Sequence, residues 1–250
     1  MPKAIRKEEI LDILRRYHYV TVKYLSEALY ISQSSIRRDL AVLETQGLVI
    51  RSHGGVYAVD NPNTLTPFLM RLQENSVAKR AICRKAAALV SDGDVLFIDG
   101  STTCLFLPEF LSEKKNLTIL TNSTKLSDLL LENTNATVYS TGGIFRISNE
   151  PVLTGSIAEN TCRTFHSSLM FFSSRAVSGN GIITDLNEPE THLRRVALQN
   201  TEKAFYLCDN TKFRHTSTFT VCSVDNIDGI VTDSFCESAF SSPSHLSKII

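Results

Sequence analysis

No apolar run in this 250-residue chain approaches the roughly 20 residues that a helix needs to cross a bilayer, so no membrane partner is expected. The N-terminus lacks an apolar signal region, and Glu8, Glu9 and Asp12 do not suit a transit peptide. The six cysteines (83, 104, 162, 208, 222 and 236) show neither close pairing nor metal-type spacing. They read as reduced thiols of a cytoplasmic protein. The six histidines are scattered, with no His-x-x-x-His, so neither a metal site nor another cofactor is expected. The formal net charge is zero, which removes bulk charge as an argument for nucleic acid.

What is present suits a packed protein of one large or two modest domains. Hydrophobic residues make up 42% and charged residues 21%, enough apolar surface to order the chain. The zero charge also hides a polarity. Residues 1–56 hold nine Lys or Arg against six Asp or Glu, an excess of +3 that the remainder cancels.

Within that basic segment the chain is organised around Gln33–Gly47. Ile36, Leu40 and Leu43 fall at i, i+4 and i+7, one apolar face of a helix. Ser32 precedes it as a cap, and Gly47 follows where a left-handed residue is cheapest. On the other face Gln33 and Arg37 lie one turn apart, as do Ser34 and Arg38. Amide, hydroxyl and guanidinium groups suit phosphate oxygens and base edges. Ile10, Ile13, Leu14 and Tyr17 mark an earlier helix over Arg6–Tyr17. Thr21 caps another carrying Val22, Leu25 and Leu29, and Tyr30-Ile31-Ser32 is the turn of a helix-turn-helix. Leu48–His53 and Val56–Val59 read as two strands, with Gly54-Gly55 supplying the positive φ angles of a hairpin. This wing completes a winged helix over residues 1–59. Gln33, Ser34 and Ser35 are the expected base readers. Arg37 and Arg38 are expected to grip phosphates or guanines, with Arg51 and His53 near the wing tip reaching the backbone. The bland alternative is a surface helix whose arginines pair with Asp39 or Glu44. Cap, turn, arginines and hairpin together favour double-stranded DNA.

Residues 60–75 have turn composition at their start and read as a linker. From Ser76 to Ile250, helix-like and strand-like segments alternate, which predicts a Rossmann-like α/β domain with a mostly parallel sheet. Its expected strands are 95–98, 117–120, 137–140, 169–172, 204–207, 219–221 and 230–232. Helices are expected from Ser76, over Thr102–Leu111 with a break at Pro108, over Ser123–Leu131, from Gly155, and over Pro189–Asn200. Ligands in such sheets bind beyond the carboxyl ends of the strands. Polar residues gather there: Asp99-Gly100-Ser101-Thr102-Thr103, Asn122, Gly142-Gly143 with Arg146, and Asp209 with Lys212. Gly100 is expected to let the backbone approach a ligand. Arg194 and Arg195 are placed on the outer face of their helix. Each loop alone has an ordinary reading: a turn, or for Asp209 a cap. Together they suit a small phosphorylated polyol.

These residues resemble the DeoR family of bacterial transcription regulators. The matching block is Ser34-Ser35-Ile36-Arg37-Arg38-Asp39-Leu40, Glu44, Gly47 and Arg51-Ser52-His53-Gly54-Gly55-Val56. Pro67-Phe68, Arg71, Asn75 and Lys79 resemble its connecting segment. Phe97–Thr103, Thr121-Asn122, Gly142-Gly143, Gly155, Glu190, Arg194-Arg195 and Asp209–Phe213 resemble its sensor domain. The resemblance implies a sugar-phosphate-isomerase-like sensor that binds a phosphorylated sugar. Asp99, Ser101, Thr102, Thr103, Asn122, Gly142, Gly143, Arg194, Asp209 and Lys212 then line or support the pocket. Two positions depart from the family. Arg194-Arg195 stands where it usually has Lys-Arg, which removes any chemistry requiring a neutral lysine. Ser173-Ser174-Arg175-Ala176 stands where it favours a smaller, glycine-containing loop, which implies either a narrower pocket or one that reads another anionic group, with Arg175 among the expected effector-binding residues.

The expected function is a repressor of sugar metabolism genes that works as a homo-oligomer, dimer or tetramer, on repeated half-sites. Two other readings stand beside it. One is a sugar-phosphate isomerase with a DNA-binding appendage, using Asp99 and Asp209 as acid–base groups. The other is a redox sensor using Cys104 or Cys208.

Overall fold

A computed structural model describes residues 3–17, 19–45, 48–52, 55–58, 68–145, 152–234 and 239–250. The chain divides into two compact units, Met1–Arg71 and Leu72–Ile250, each with its own core.

The first unit packs α1 (Lys3–Tyr17), α2 (Val22–Ala28) and α3 (Gln33–Thr45) on a small antiparallel sheet. The sheet has three strands: β1 (Tyr19–Thr21), β2 (Val49–Ser52) and β3 (Gly55–Ala58), in the order β1-β3-β2. Ile10, Leu14, Leu25, Ile36, Leu40 and Leu43 are buried together. Each is worth about 1.5–3 kcal/mol of transfer free energy, and this apolar face decides where α3 lies. Tyr17, expected on the inner face of α1, is instead half exposed and meets Tyr24 edge to face at 5.8 Å. Thr21 caps α2 as expected, its Oγ1 accepting from Tyr24 N at 3.0 Å. Ser32 Oγ lies 3.4 Å from Ser35 N at the start of α3. The Gly47 cap and Gly54 lie outside the described residues.

β1 was not expected. It is three residues long and is recognisable only by pairing, Tyr19 opposite Tyr57 and Thr21 opposite Gly55. That pairing revises the role of Gly55. Gly55 is a strand residue without positive φ, and a Cβ there would lie 2.2 Å from the Tyr19 ring. Close approach of an aromatic ring, not turn geometry, demands glycine at this position.

Residues 68–73 of the expected linker form α4 (Phe68–Gln73); residues 60–67 lie outside the described set. The second unit opens with α5 (Ser76–Ala87). Its main sheet has six parallel strands in the order β14-β12-β9-β4-β5-β6. These are β4 (Val95–Ile98), β5 (Thr118–Thr121), β6 (Thr137–Ser140), β9 (Ser167–Phe172), β12 (Thr201–Leu207) and β14 (Gly229–Val231). Near-continuous apolar runs such as Leu169–Phe172 are buried on both faces, as covered parallel strands require. Helices α6 (Thr124–Asn133), α7 (Ser156–Thr164) and α8 (Glu188–Leu198) follow the expected segments, and α9 (Pro243–Leu246) lies near the C-terminus.

Three expectations change. Thr102–Leu111 forms a 3-10 helix over Cys104–Phe110 with Pro108 inside it, because proline cannot donate to an α-helical ladder. Phe219–Val221 does not join the main sheet. It lies in β13 (Phe219–Ser223), which pairs with β11 (Ile182–Asp185) and, through it, β10 (Ala176–Val177) in a separate antiparallel sheet. A small two-stranded ladder, β7 (Ile144–Phe145) with β8 (Leu153–Thr154), also went unread. Among the described residues no helix is long and apolar enough to cross a membrane.

Candidate functional site

In the first unit, α3 separates its residues by face. Ile36, Asp39, Leu40 and Leu43 are buried, while Gln33, Ser34, Arg37 and Arg38 are exposed and Ser35 is half-buried. Asp39 turns inward to Arg6 of α1, with Nε to Oδ2 at 2.5 Å. It is therefore a tether between helices and does not neutralise Arg37 or Arg38. Arg37 has no hydrogen bond or ion pair among the described residues, and Arg38 leans on Ser34 O and Ser35 Oγ, both at 3.4 Å. Arg51 is different. Its guanidinium meets Glu44 Oε2 at 2.6–2.7 Å and its backbone N–H donates to Glu44 Oε1 at 3.2 Å. The pair joins the end of α3 to the wing, so Arg51 has a structural partner already. His53 lies outside the described residues.

In the second unit, the carboxyl ends of β4, β5, β9 and β12 bring Asp99, Asn122, Ser173 and Asp209 to one edge of the sheet. The centre is Arg194. Far from the outer face of α8, it is buried, and it donates to three carboxylates: Nε to Asp99 at 2.7 Å, Nη1 to Asp185 at 2.9 Å and Nη2 to Glu190 at 3.0 Å. Burial alone would favour the neutral guanidine, but Asp99, Asp185 and Glu190 outweigh it and push the pKa up, so the charge is permanent. Its neighbour Arg195 is the one on the outer face, donating to Thr220 O. The inward set Leu193, Val196 and Ala197 leaves position 194 on the inner boundary; a polar residue there reads as outward because two of its three carboxylate partners, Asp99 and Asp185, come from other elements.

The loops are tied to one another. Asp99 also accepts from Ser101 N at 3.1 Å and Ser173 N at 3.4 Å. Asn122 accepts from Gly100 N at 2.8 Å and donates to Leu153 O at 3.3 Å, stapling the loops after β4 and β5 to β8. Gly100 faces protein, not an open ligand space: a Cβ there would lie 2.4 Å from Val152 Cγ1. Gly143, at φ 117°, is likewise crowded by Thr154 O, whereas Gly142, at φ 65°, has only Ile157 nearby. Asp209 caps the short 3-10 turn Asn210–Lys212, accepting from Thr211 N at 3.2 Å, and takes Asn75 Nδ2 at 3.3 Å.

Cations with reach remain at this edge. Lys212 Nζ donates to Ser173 Oγ at 2.7 Å and sits 3.9 Å from Asp209. Lys79 of α5 donates to Thr102 Oγ1 at 3.3 Å. Arg175 is exposed, with no ion pair or hydrogen bond among the described residues. Ser101 accepts from Cys104 N at 3.4 Å, and the buried Thr103 Oγ1 has no partner among the described residues. Arg146 lies outside them. Lys79, Asp185 and Glu190 join the site here, Lys79 and Glu190 having been read from the sequence only as family landmarks. Asp185 was hidden because β11, whose end it occupies, was not read as a strand. No cluster of metal-binding groups occurs among the described residues.

A model of the DeoR-like helix-turn-helix domain matches residues 6–61, and one of the DeoR C-terminal sensor domain matches residues 74–234. This chain belongs to the DeoR family. The regulator is 33% identical over 228 residues to the HTH-type transcriptional regulator GolR of Listeria innocua, covering 91% of this chain and 89% of that one. It is 32% identical over 241 residues to the lactose phosphotransferase system repressor of Staphylococcus aureus, 93% of each chain. It is 28% identical over 233 residues to the L-fucose operon activator of Escherichia coli, 92% of this chain and 95% of that one. The DeoR-family chain is thus a DNA-binding transcriptional regulator and not an enzyme, which removes the isomerase reading. The redox reading loses its physical basis as well. Burial pushes the Cys104 thiol well up and the Cys208 thiol up to about 12, the opposite of what a reactive thiolate needs.

Proposed function

We propose that this DeoR-family regulator represses genes of sugar metabolism and releases its operator when a small phosphorylated sugar occupies the polar edge of the sensor sheet. The observation that carries the reading is the division of α3. Arg37 and Arg38 are exposed beside Gln33 and Ser34, while Asp39 is taken up by Arg6. That face meets DNA, with Gln33, Ser34 and Ser35 toward base edges and Arg37 and Arg38 toward phosphates or guanines. Arg51 and His53 serve the wing.

On the sensor side, Lys212, Arg175, Ser101, Thr102 and Thr103 contact the effector. Gly142 stands beside them, and Arg146 is assigned to the same anion-binding role from its sequence alone. Asp99, Gly100, Asn122, Gly143, Arg194 and Asp209 hold those groups in place. The relatives named for a lactose phosphotransferase system and an L-fucose operon support a sugar-related role; the first is named a repressor, which supports repression, and the second an activator. One winged helix with a +3 excess binds weakly, so homo-oligomers on repeated half-sites supply avidity. A cytoplasmic site of action belongs to the same reading.

The test is a mobility shift on DNA upstream of the protein's own gene, with and without a panel of sugar phosphates. A shifted band abolished by one member is the expected result. Binding that no sugar phosphate changes would leave the operator half standing and remove the sensor half. A band that forms only with a sugar phosphate would make the protein an activated binder.

A further inference from the structure

Tyr30 holds a conformation that its side chain disfavours. The helix α2 ends in a six-to-one hydrogen bond from Ile31 N to Ser26 O at 3.0 Å, reinforced by Ser26 Oγ donating to Ile31 O at 2.6 Å. In such an ending the residue after the cap turns left-handed, and glycine is the usual occupant. Tyr30 occupies it here at φ 55°. A left-handed backbone is costly for any residue with a Cβ, and more so for a bulky one. The ring recovers nothing from packing, because Tyr30 is 95% exposed. It is the large apolar side chain least covered among those exposed in this unit.

The location is what distinguishes this residue from an ordinary surface tyrosine. Tyr30 stands three residues before Gln33, at the entry to the helix whose exposed face carries Gln33, Ser34, Arg37 and Arg38. A helix that lies N-terminus first in a groove brings the segment ahead of it to the flanking sugar-phosphate strand. A phenol extends farther than glycine, serine or asparagine could, and its hydroxyl donates to phosphate oxygen without carrying charge.

We propose that Tyr30 is a DNA contact, its hydroxyl donating to a phosphodiester oxygen beside the groove entered by α3, retained at the expense of helix-cap stability. The proposal rests on the DNA-binding reading above. Two substitutions separate contact from fold. Tyr30→Phe keeps the strained backbone and the ring, and loses only the hydroxyl. Tyr30→Gly relieves the backbone and removes the ring.

The experiment measures operator affinity at several salt concentrations and thermal melting for the full chain, both variants and Arg37→Ala. Tyr30→Phe is expected to melt with the parent and bind about five- to tenfold more weakly. Its slope of log affinity against log salt stays unchanged, since a neutral phenol releases no counterion. Tyr30→Gly is expected to melt a few degrees higher and to bind at least as weakly as the phenylalanine variant. Arg37→Ala should lose affinity and also about one unit of salt slope. Parental affinity in Tyr30→Phe overturns the contact, as does a lower melting point with weakened binding in Tyr30→Gly, which would mean a structural role. Failure of the parent itself to bind any fragment would instead sink the DNA reading, a different outcome from intact Arg37 dependence with Tyr30 silent.

Discussion

Arg37 and Arg38 carry the same charge in neighbouring positions, yet only Arg37 is without any partner among the described residues. Both should matter to phosphate contacts. Alanine at either position is expected to weaken operator binding about tenfold or more and to lower the salt slope by about one. Affinity unchanged in both variants would show that α3 is not the reading helix. A second residue-scale prediction concerns glycine. Gly100→Ala places a methyl 2.4 Å from Val152 Cγ1 and 3.0 Å from Ser123 Cβ, so it should destabilise the sensor unit by about 1–3 kcal/mol in urea unfolding. An unchanged midpoint would mean that the loop gives way without cost. A third concerns thiols. Burial pushes Cys162, Cys208 and Cys222 up to about 12, leaving them protonated across the ordinary working range. Peptide mapping after brief alkylation near pH 8 should find these three unmodified in native protein and modified after denaturation.

At the scale of elements, α8 is the helix that organises the sensor edge. Its polar position 194 reaches β4 through Asp99, β11 through Asp185 and its own first turn through Glu190. Replacing Arg194 by methionine leaves three carboxylates facing one another without their cation. A loss of about 3–5 kcal/mol in urea unfolding is expected, since removing one partner strands buried charge. Parental stability combined with a lost sugar-phosphate response would make Arg194 a ligand-contacting group instead. The elements also differ in how readable they were. α3, α6 and α8 announced themselves because three apolar residues repeat at helical spacing and each is wholly or partly buried in the fold. β1, β10 and β11 did not. Three or fewer residues carry no periodicity, and β11 became visible only as the middle strand of a sheet whose partners lie on both sides of it in the chain. Missing β11 concealed Asp185, and missing Asp185 made Arg194 look like surface.

For the whole molecule, regulation requires that effector and DNA bind with a coupling free energy, commonly about 1–3 kcal/mol. An effector can shift DNA binding only by its differential affinity for two states. Arg175→Ala and Lys212→Ala are the cleanest probes of the sensor half, because neither side chain is part of the Arg194 cluster. Each should leave operator affinity and melting near parental values while raising the sugar-phosphate concentration needed for release about tenfold. Loss of DNA binding in both would indicate a damaged fold, and an unaltered response in both would move the effector elsewhere. Asp99→Ala is less informative, since Asp99 holds Arg194, Ser101 N and Ser173 N at once.

Residue order alone determined that a basic winged helix precedes an α/β sensor, because caps, glycines and apolar periodicity are local properties of the chain. It also determined which loops collect at the sheet edge, since parallel strands place their carboxyl ends together. Only the tertiary structure decided which of those polar groups are free and which are spent. Asp39 tethers α1 instead of neutralising Arg37 because its partner is Arg6, 33 residues away. Arg194 faces inward because Asp99, 95 residues away, joins the nearer Asp185 and Glu190 around it. Hydrogen-bonding capacity is finite, and burial assigns it by proximity in space.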